Sequence, residues 1–166
     1  PEGIVNNPVV YDLVLELPWH RARVDVAEWI EGYVKARYGR CDERLTEAWR
    51  IFLETIHSST IGYQEGPPEN VLCARPGLGV RSVSSWGRLE KRYDTARFAE
   101  GVRLMASARA DFAGSETYRI DLINMLRQVI ANRADGVYAD LSAACERRDR
   151  DGFRRASSEF LALHDL

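Results

Sequence analysis

The chain has 166 residues, of which 45% are hydrophobic and 29% are charged, and its formal net charge is −2. This length suits one domain with a sizeable core, and the composition is ordinary for a globular protein and excludes intrinsic disorder. The weak negative charge gives no general reason to expect nucleic acid or an anionic membrane as a partner, and no apolar run is long enough to cross a bilayer.

The first part of the chain predicts three helices. Asn7-Pro8 combines a capping side chain with a proline at the first helical position, so a helix is expected to begin there and to end at Pro18. Asp25 is expected to cap a second helix, and Gly39 lies where a left-handed residue would end it. A third helix is expected from about Asp42, because apolar residues again recur at helical spacing.

The helical pattern then stops over a long segment. From 58 to 87 the sequence is rich in glycine, proline and serine, and irregular segments of this length are uncommon in compact domains unless they are functional. The segment also contains more apolar side chains than a solvated linker needs. We therefore expect an ordered, packed loop, whose apolar residues are Tyr63, Leu72, Val80 and Trp86.

Helical spacing resumes near Asp94 and continues to the end of the chain. Ser115 is expected to cap a long helix that contains a weak point at Asp135-Gly136, and a last helix is expected from near Asp151. No period-two strand pattern is present. The predicted fold class is therefore all-α, an irregular bundle of about six helices with one long ordered loop.

The cysteines and histidines do not predict a metal site or a cofactor site. Cys41, Cys73 and Cys145 are an odd, scattered set without zinc-ligand spacing, so free, partly buried thiols are expected. His20 and His164 have no partner arrangement typical of metal or acid–base chemistry. Both ends of the chain interrupt patterned sequence, and we expect both to be cut from a longer protein.

The opening residues contain the sharpest chemical signal. Glu2 stands between a proline and a glycine just ahead of a capped helix, which is where catalytic groups lie on the rim of a β/α barrel. Composition alone favours a solvated terminal glutamate. The motifs that surround Glu2 favour a catalytic role over a solvated terminal position.

Two groups of motifs, which together cover a little under a third of the chain, resemble glycoside hydrolase family 89, the α-N-acetylglucosaminidases. The first group consists of Pro1, Glu2, Gly3, Ile4, Asn7, Val10, Tyr11, Glu16, Leu17, Trp19, Trp29, Arg37, Tyr38 and Gly39. The second group is CARPGL, which spans residues 73–78, together with VSSW, which ends at Trp86.

The resemblance implies a part of a larger enzyme. The family has a small N-terminal domain, a catalytic barrel and a large helical C-terminal domain, and it releases terminal α-linked N-acetylglucosamine with retention of configuration. Residues 1–20 then correspond to a late segment of the barrel and residues 21–166 to a truncated helical domain. No targeting signal is present, and an exported or lysosome-like location is suggested by the resemblance alone.

The resemblance also implies roles for single residues. Glu2 matches the nucleophile of a retaining glycosidase, whose acid/base carboxylate would lie outside this chain. Trp86 matches a sugar-contacting tryptophan, although a role in holding the loop is about as plausible. Tyr63 and Glu69 are weaker candidates for substrate binding, with a structural role favoured for each. The family often has tyrosine where His57 stands, which puts a sugar contact there in doubt.

The expected partners are a glycan with terminal N-acetylglucosamine and the upstream barrel of the same protein, with no cofactor. The isolated chain is expected to be inactive and to form dimers through the uncovered Val10, Val14 and Leu17. One alternative is a helical scaffold without catalysis, which a start codon or linker just upstream would favour. A weaker alternative is a carbohydrate-binding module that uses Trp86 and Tyr63.

Overall fold

The computed structural model describes residues 7–58, 70–74, 77–80 and 91–165, and within these ranges it confirms the all-α prediction. The described residues contain no strand. They form six α-helices and two short 3₁₀ helices, at Leu17–Trp19 and Val71–Cys73. The α-helices are α1 (Pro8–Glu16), α2 (Val26–Tyr38), α3 (Glu43–Glu54), α4 (Thr95–Ser107), α5 (Glu116–Glu146) and α6 (Arg150–Ala162).

Aspartates begin four of these helices, because a carboxylate oxygen can accept hydrogen bonds from otherwise unpaired backbone N–H groups. Asp25 Oδ1 accepts from Ala27 N at 2.8 Å, and Asp42 and Asp94 cap α3 and α4 in the same way. The sequence predicted these three starts. Asp149 caps α6, two residues before the start expected at Asp151.

One local prediction needs correction. Asn7 is the N-cap of α1, but its side chain makes no capping hydrogen bond, and its backbone oxygen accepts from Val10 N and Tyr11 N instead. Helix α5 continues through Asp135-Gly136 over 31 residues, and the weak point expected there stays a prediction. The expected left-handed cap at Gly39 is confirmed, with φ of 87° and its N–H bonded to Lys35 O.

Residues 1–62 and 92–126 form one compact unit, whose core lies between α2, α3, α4 and the first part of α5. Aromatic rings fill its centre: Trp49 packs edge-on against Phe52, and Phe52 packs against Phe98, each pair at 5.4 Å between centroids. Tyr118 O–H donates to Met105 O at 2.6 Å and so joins α5 to α4. The largest fully buried side chains of this unit are Trp49, Tyr118, Phe52, Phe98, Ile30, Leu45, Ile51, Met105 and Val34.

Gly101 on α4 allows the close approach of α3, and its replacement by alanine is expected to destabilise the chain by about 1–3 kcal/mol. A Cβ atom there would lie 2.8 Å from Phe52 Cε1 and 3.0 Å from Ile51 Cγ2. Gly32→Ala on α2 is the matched control, because nothing lies within 4 Å of its added Cβ. The control is expected to stabilise the chain by about 0.5–1 kcal/mol in urea unfolding. Equal effects of the two substitutions would contradict this account of Gly101.

Residues 63–91 and 127–166 form a second compact unit, in which the later part of α5 packs against α6. The rings of Tyr138 and Phe160 lie 6.3 Å apart, and Arg133 forms an ion pair with Glu159. The buried small side chains on these two helices are Ala131, Ala134, Ala144 and Ala156. In the described part of the chain, no helix is long and apolar enough to cross a membrane.

Candidate functional site

The residues that the sequence singles out for chemistry lie outside the described ranges. These residues are Glu2, Tyr63, Glu69 and Trp86, and Arg75 of the CARPGL motif also lies outside the described ranges. The structure describes the elements that adjoin these residues, and these elements form the frame of the candidate site.

Helix α1, which begins six residues after Glu2, is tied to α2 by a side-chain hydrogen bond. Trp29 Nε1 donates to Glu16 Oε2 at 2.8 Å, and His20 Nε2 lies 3.0 Å from the other oxygen of the same carboxylate. The Trp29 hydrogen bond, followed by the contact with His20, lowers the pKa of Glu16. Glu16 and Trp29 both belong to the family motif, so these two motif residues hold the segment that follows Glu2.

Most of the apolar surface of α1 is uncovered. Val9 is buried, whereas Trp19 in the adjoining 3₁₀ helix is 85% exposed. The expected exposure of Val10, Val14 and Leu17 is confirmed, and Leu15 is exposed as well. Side chains of this kind rarely cluster on a free surface, so the face has the character of an interface. Its exposed members are Val10, Val14, Leu15, Leu17 and Trp19.

A buried network of polar side chains fixes α2, α3 and α5 together. Asp121, only 3% exposed, accepts two hydrogen bonds from Arg37, from Nε at 2.5 Å and from Nη2 at 2.8 Å. Tyr38 O–H donates to the same carboxylate at 2.7 Å, and Trp49 Nε1 donates to the Tyr38 oxygen at 2.9 Å. Burial, followed by the Asp121 charge, raises the pKa of Tyr38 well above its ordinary value. The buried Asp121 carboxylate and Tyr38 hydroxyl therefore both have hydrogen-bond partners.

Trp86 belongs to the stretch 81–90. The described residues on either side of this stretch contact side chains of a single turn of α5. On one side, Tyr138 O–H donates to Gly77 O at 3.0 Å and its oxygen accepts from Val80 N at 2.8 Å. On the other side, Lys91 Nζ lies 3.0 Å from Asp135 Oδ2. Asp135 and Tyr138 are three residues apart, so they lie on the same face of the helix. Gly77, Val80 and Lys91 are therefore all held by side chains on the same face of α5.

Tyr138→Phe is expected to free the Gly77–Val80 turn without unfolding α5. The phenylalanine keeps the ring but removes the one hydroxyl that serves as donor to Gly77 and acceptor for Val80. Hydrogen exchange at the Val80 amide should accelerate by about tenfold, which corresponds to roughly 1.4 kcal/mol of lost protection. The Leu72 amide, which bonds to Asn70 Oδ1, is the internal control. An unchanged Val80 rate would show that this hydroxyl does not hold the turn.

His57 lies three residues after the end of α3, near the end of the described range 7–58. It is half-buried, and burial lowers the pKa of its imidazole. Its Nε2 is buried and has no hydrogen-bond partner among the described residues. The neutral ring therefore fills space beside α3, and this arrangement supplies no charge for binding or catalysis.

Sequence reasoning missed Asp121, Tyr138, Lys91 and Asp135 as members of this frame. Asp121 and Asp135 are charged residues on the predicted α5, and a carboxylate inside an otherwise apolar stripe is a signal that a buried partner exists. No group of three or more metal-ligating side chains is present in the described ranges. All three cysteines are free, as expected, but Cys41 and Cys73 are exposed and only Cys145 is partly buried.

A protein-family model matches the greater part of the chain. The family model described as the alpha-N-acetylglucosaminidase C-terminal domain matches residues 29–166. Human alpha-N-acetylglucosaminidase is 30% identical over 145 residues, which are 87% of this chain and 19% of the human protein.

Solved structures give the same result. A family 89 glycoside hydrolase from Clostridium perfringens in complex with PUGNAc matches with a TM-score of 0.90 and 31% identity, over 95% of this chain and 18% of that chain. The same values hold for a variant with two glutamate-to-glutamine substitutions in complex with its substrate, GlcNAc-alpha-1,4-galactose. The chain therefore spans less than a fifth of the length of these relatives.

Proposed function

Because the chain belongs to the family of alpha-N-acetylglucosaminidase C-terminal domains, we propose that it is part of a retaining exo-glycosidase that releases terminal α-linked N-acetylglucosamine from glycans. The observation that carries this proposal is the match, over 95% of the chain, to an enzyme whose substrate is GlcNAc-alpha-1,4-galactose. The similarity of the helical fold, with a TM-score of 0.90, supports a shared substrate class.

In this proposal Glu2 is the nucleophile. Its carboxylate attacks the anomeric carbon, the bond to the leaving oxygen breaks, and a glycosyl ester forms on Glu2. A second carboxyl group, supplied from outside this chain, protonates the leaving oxygen and then removes a proton from the water that hydrolyses the ester. The substrate-bound relative carries substitutions at two glutamates, which is consistent with a mechanism that uses two carboxyl groups.

Residues 1–20 are proposed to be the late barrel segment, and residues 21–166 the helical domain. The uncovered apolar face of α1 supports this division, since a barrel packed against it would bury side chains such as Val14 and Trp19. The Glu16–Trp29 hydrogen bond would then connect the barrel segment to the helical domain. In the isolated chain the same face is free to self-associate, and dimers through α1 are proposed.

Trp86, Tyr63 and Glu69 are proposed to contribute to the sugar pocket. An indole ring packs well against the C–H face of a pyranose, which suits a neutral amino sugar. The anchors at Tyr138 and Asp135 support this assignment for Trp86, because a loop with fixed ends loses less conformational freedom when it binds a ligand.

The proposal is tested with the full-length enzyme and an aryl α-N-acetylglucosaminide. We expect hydrolysis, and NMR of the first product should show the α-anomer before mutarotation. The aryl β-N-acetylglucosaminide and the aryl α-glucoside are the matched controls for anomer and for the acetamido group. Initial release of the β-anomer would contradict the nucleophile role, and absence of turnover would contradict the proposed activity.

The 166-residue chain alone is expected to be inactive in the same assay. Without a barrel and an acid partner, Glu2 is not positioned against a substrate, and the positioning and charge stabilisation that accelerate the reaction are lost. Turnover by the isolated chain above the buffer rate would show that residues 1–166 contain a complete site.

A further inference from the structure

Helix α5 has apolar side chains on two different faces in its first three turns. One face carries Tyr118 and Leu122, which are buried. On the other face Ile120, Ile123 and Leu126 are exposed by 41%, 56% and 41%. At about 100° per residue, the centres of the two faces lie roughly 120° apart around the helix. A surface helix normally has one apolar face, so the second face of α5 has the character of a contact surface.

Charges of opposite sign stand at the two ends of this exposed face. Glu116, Ile120, Ile123 and Arg127 follow one another at spacings of four, three and four residues, which places them on one line along the helix. Glu116 and Arg127 are both exposed, and in the part of the chain that the structure describes neither forms an ion pair. The line is therefore acidic at its start, apolar in its centre and basic at its end, over about 16 Å of helix.

This line is complementary to itself when two copies of α5 lie antiparallel. A two-fold axis midway between Ile120 and Ile123 pairs each isoleucine with the other one in the second copy. The same axis places Glu116 of each copy against Arg127 of the other. The spacing of four, three and four residues is that of the contact line in a coiled coil, so two such helices can stay in contact along the whole line.

The charges favour the antiparallel arrangement over the parallel one. In a parallel pair Glu116 would face its own copy, and so would Arg127, and like charges that meet at a contact are unfavourable. The other exposed charged residue on this side of the helix is Arg119. In the antiparallel pair it lies opposite the uncharged Asn124, so no like charges meet.

We propose that the full-length protein forms a two-fold dimer in which this face of α5 packs against the same face of a second copy. The apolar centre of the line loses its contact with water, and the two Glu116–Arg127 pairs fix the register and the direction of the helices. The contact extends over about three turns of one helix, which is less than the roughly 800 Å² per partner of a standard interface, so a dissociation constant in the micromolar range is expected. The inference does not depend on the proposed activity.

The test is the oligomeric state of the full-length enzyme, measured by sedimentation velocity from nanomolar to high micromolar concentrations. Ile123→Asp is expected to raise the dissociation constant of the dimer by at least about tenfold, because a carboxylate then stands in the apolar centre of both copies. Arg103→Glu is the control, since Arg103 is an exposed arginine on α4. It should leave the dimer unchanged.

Charge reversals test the direction and the register of the two helices. Glu116→Arg and Arg127→Glu should each weaken the dimer, because each substitution brings like charges together at both ends. An equimolar mixture of these two variants should form heterodimers, and the double variant should dimerise like the unsubstituted enzyme, because opposite charges meet again in both cases. A loss of folding cannot produce this rescue.

A full-length enzyme that is monomeric over the whole concentration range would overturn the proposal, since no second copy would then cover this face. A dimer that is as stable in Ile123→Asp as in the unsubstituted enzyme would also overturn it, because another surface would then form the contact. Failure of the two charge variants to pair in the mixture would overturn the antiparallel arrangement. Activity on the aryl glycoside is measured on the same samples, so a dimeric but inactive enzyme would contradict the proposed function and not the dimer.

Discussion

In the full-length enzyme, Glu2→Ala is expected to lower turnover of an aryl α-N-acetylglucosaminide by at least about four orders of magnitude. Removing a covalent nucleophile eliminates the glycosyl-enzyme pathway, and losses of this size or larger accompany such changes in other hydrolases. Added azide should restore part of the activity by entering from the face that Glu2 would have occupied. The product should therefore be the glycosyl azide of the opposite anomer to the substrate, identified by NMR.

The anomer of this product separates the two possible roles of Glu2. A glycosyl azide of the same anomer as the substrate would assign Glu2 as the acid/base, since azide would then attack a glycosyl-enzyme ester formed on another residue. Glu43→Ala is the matched control, because Glu43 is an exposed glutamate in the first turn of α3. It should retain full activity. A fully active Glu2→Ala enzyme would contradict the proposed mechanism.

Asp121→Ala is expected to destabilise the chain by about 3–5 kcal/mol in urea unfolding, the range measured when one partner of a buried ion pair is removed. The substitution leaves the Arg37 guanidinium without either of its carboxylate bonds and the Tyr38 hydroxyl without its acceptor. Asp111→Ala is the control, because Asp111 is also paired with an arginine, Arg44, but is exposed. Its expected cost is below about 1 kcal/mol.

A milder variant keeps this prediction testable if Asp121→Ala does not fold. Tyr38→Phe retains the Arg37–Asp121 pair and removes only the hydroxyl between Asp121 and Trp49 Nε1, so a cost of about 1–3 kcal/mol is expected. An effect of Asp121→Ala no larger than that of Asp111→Ala would show that the buried network does not stabilise the fold.

The positions of the helices could be predicted because their signals are local. An aspartate such as Asp25 or Asp42 bonds to N–H groups two and three residues ahead, and a left-handed Gly39 accompanies an N–H bond to the carbonyl of Lys35, four residues back. These interactions are contained in short stretches of sequence, so the pattern of residue types is sufficient to locate them. Asn7 is the exception: it occupies the cap position without a side-chain bond, since residue type permits such a bond without requiring it.

The motifs likewise identified the family, but they did not reveal what the motif residues do. Glu16, Trp29, Arg37 and Tyr38 were recognised as part of a pattern, and the structure shows that they hold helices together through Asp121 and through the Glu16–Trp29 bond. The proposed sugar-contacting roles of Trp86, Tyr63 and Glu69 remain predictions, as does the role of Glu2.

The sequence by itself determined the helical class, most helix starts and the family, because each depends on residues that are close in the chain or on a motif. Only the tertiary structure decided that Arg37 pairs with Asp121, 84 residues away, and that Tyr138 holds Gly77 and Val80, about 60 residues away. Such partners are selected by which helix faces pack together. That choice minimises exposed apolar surface and unpaired buried polar groups over the whole unit, and no local pattern encodes it.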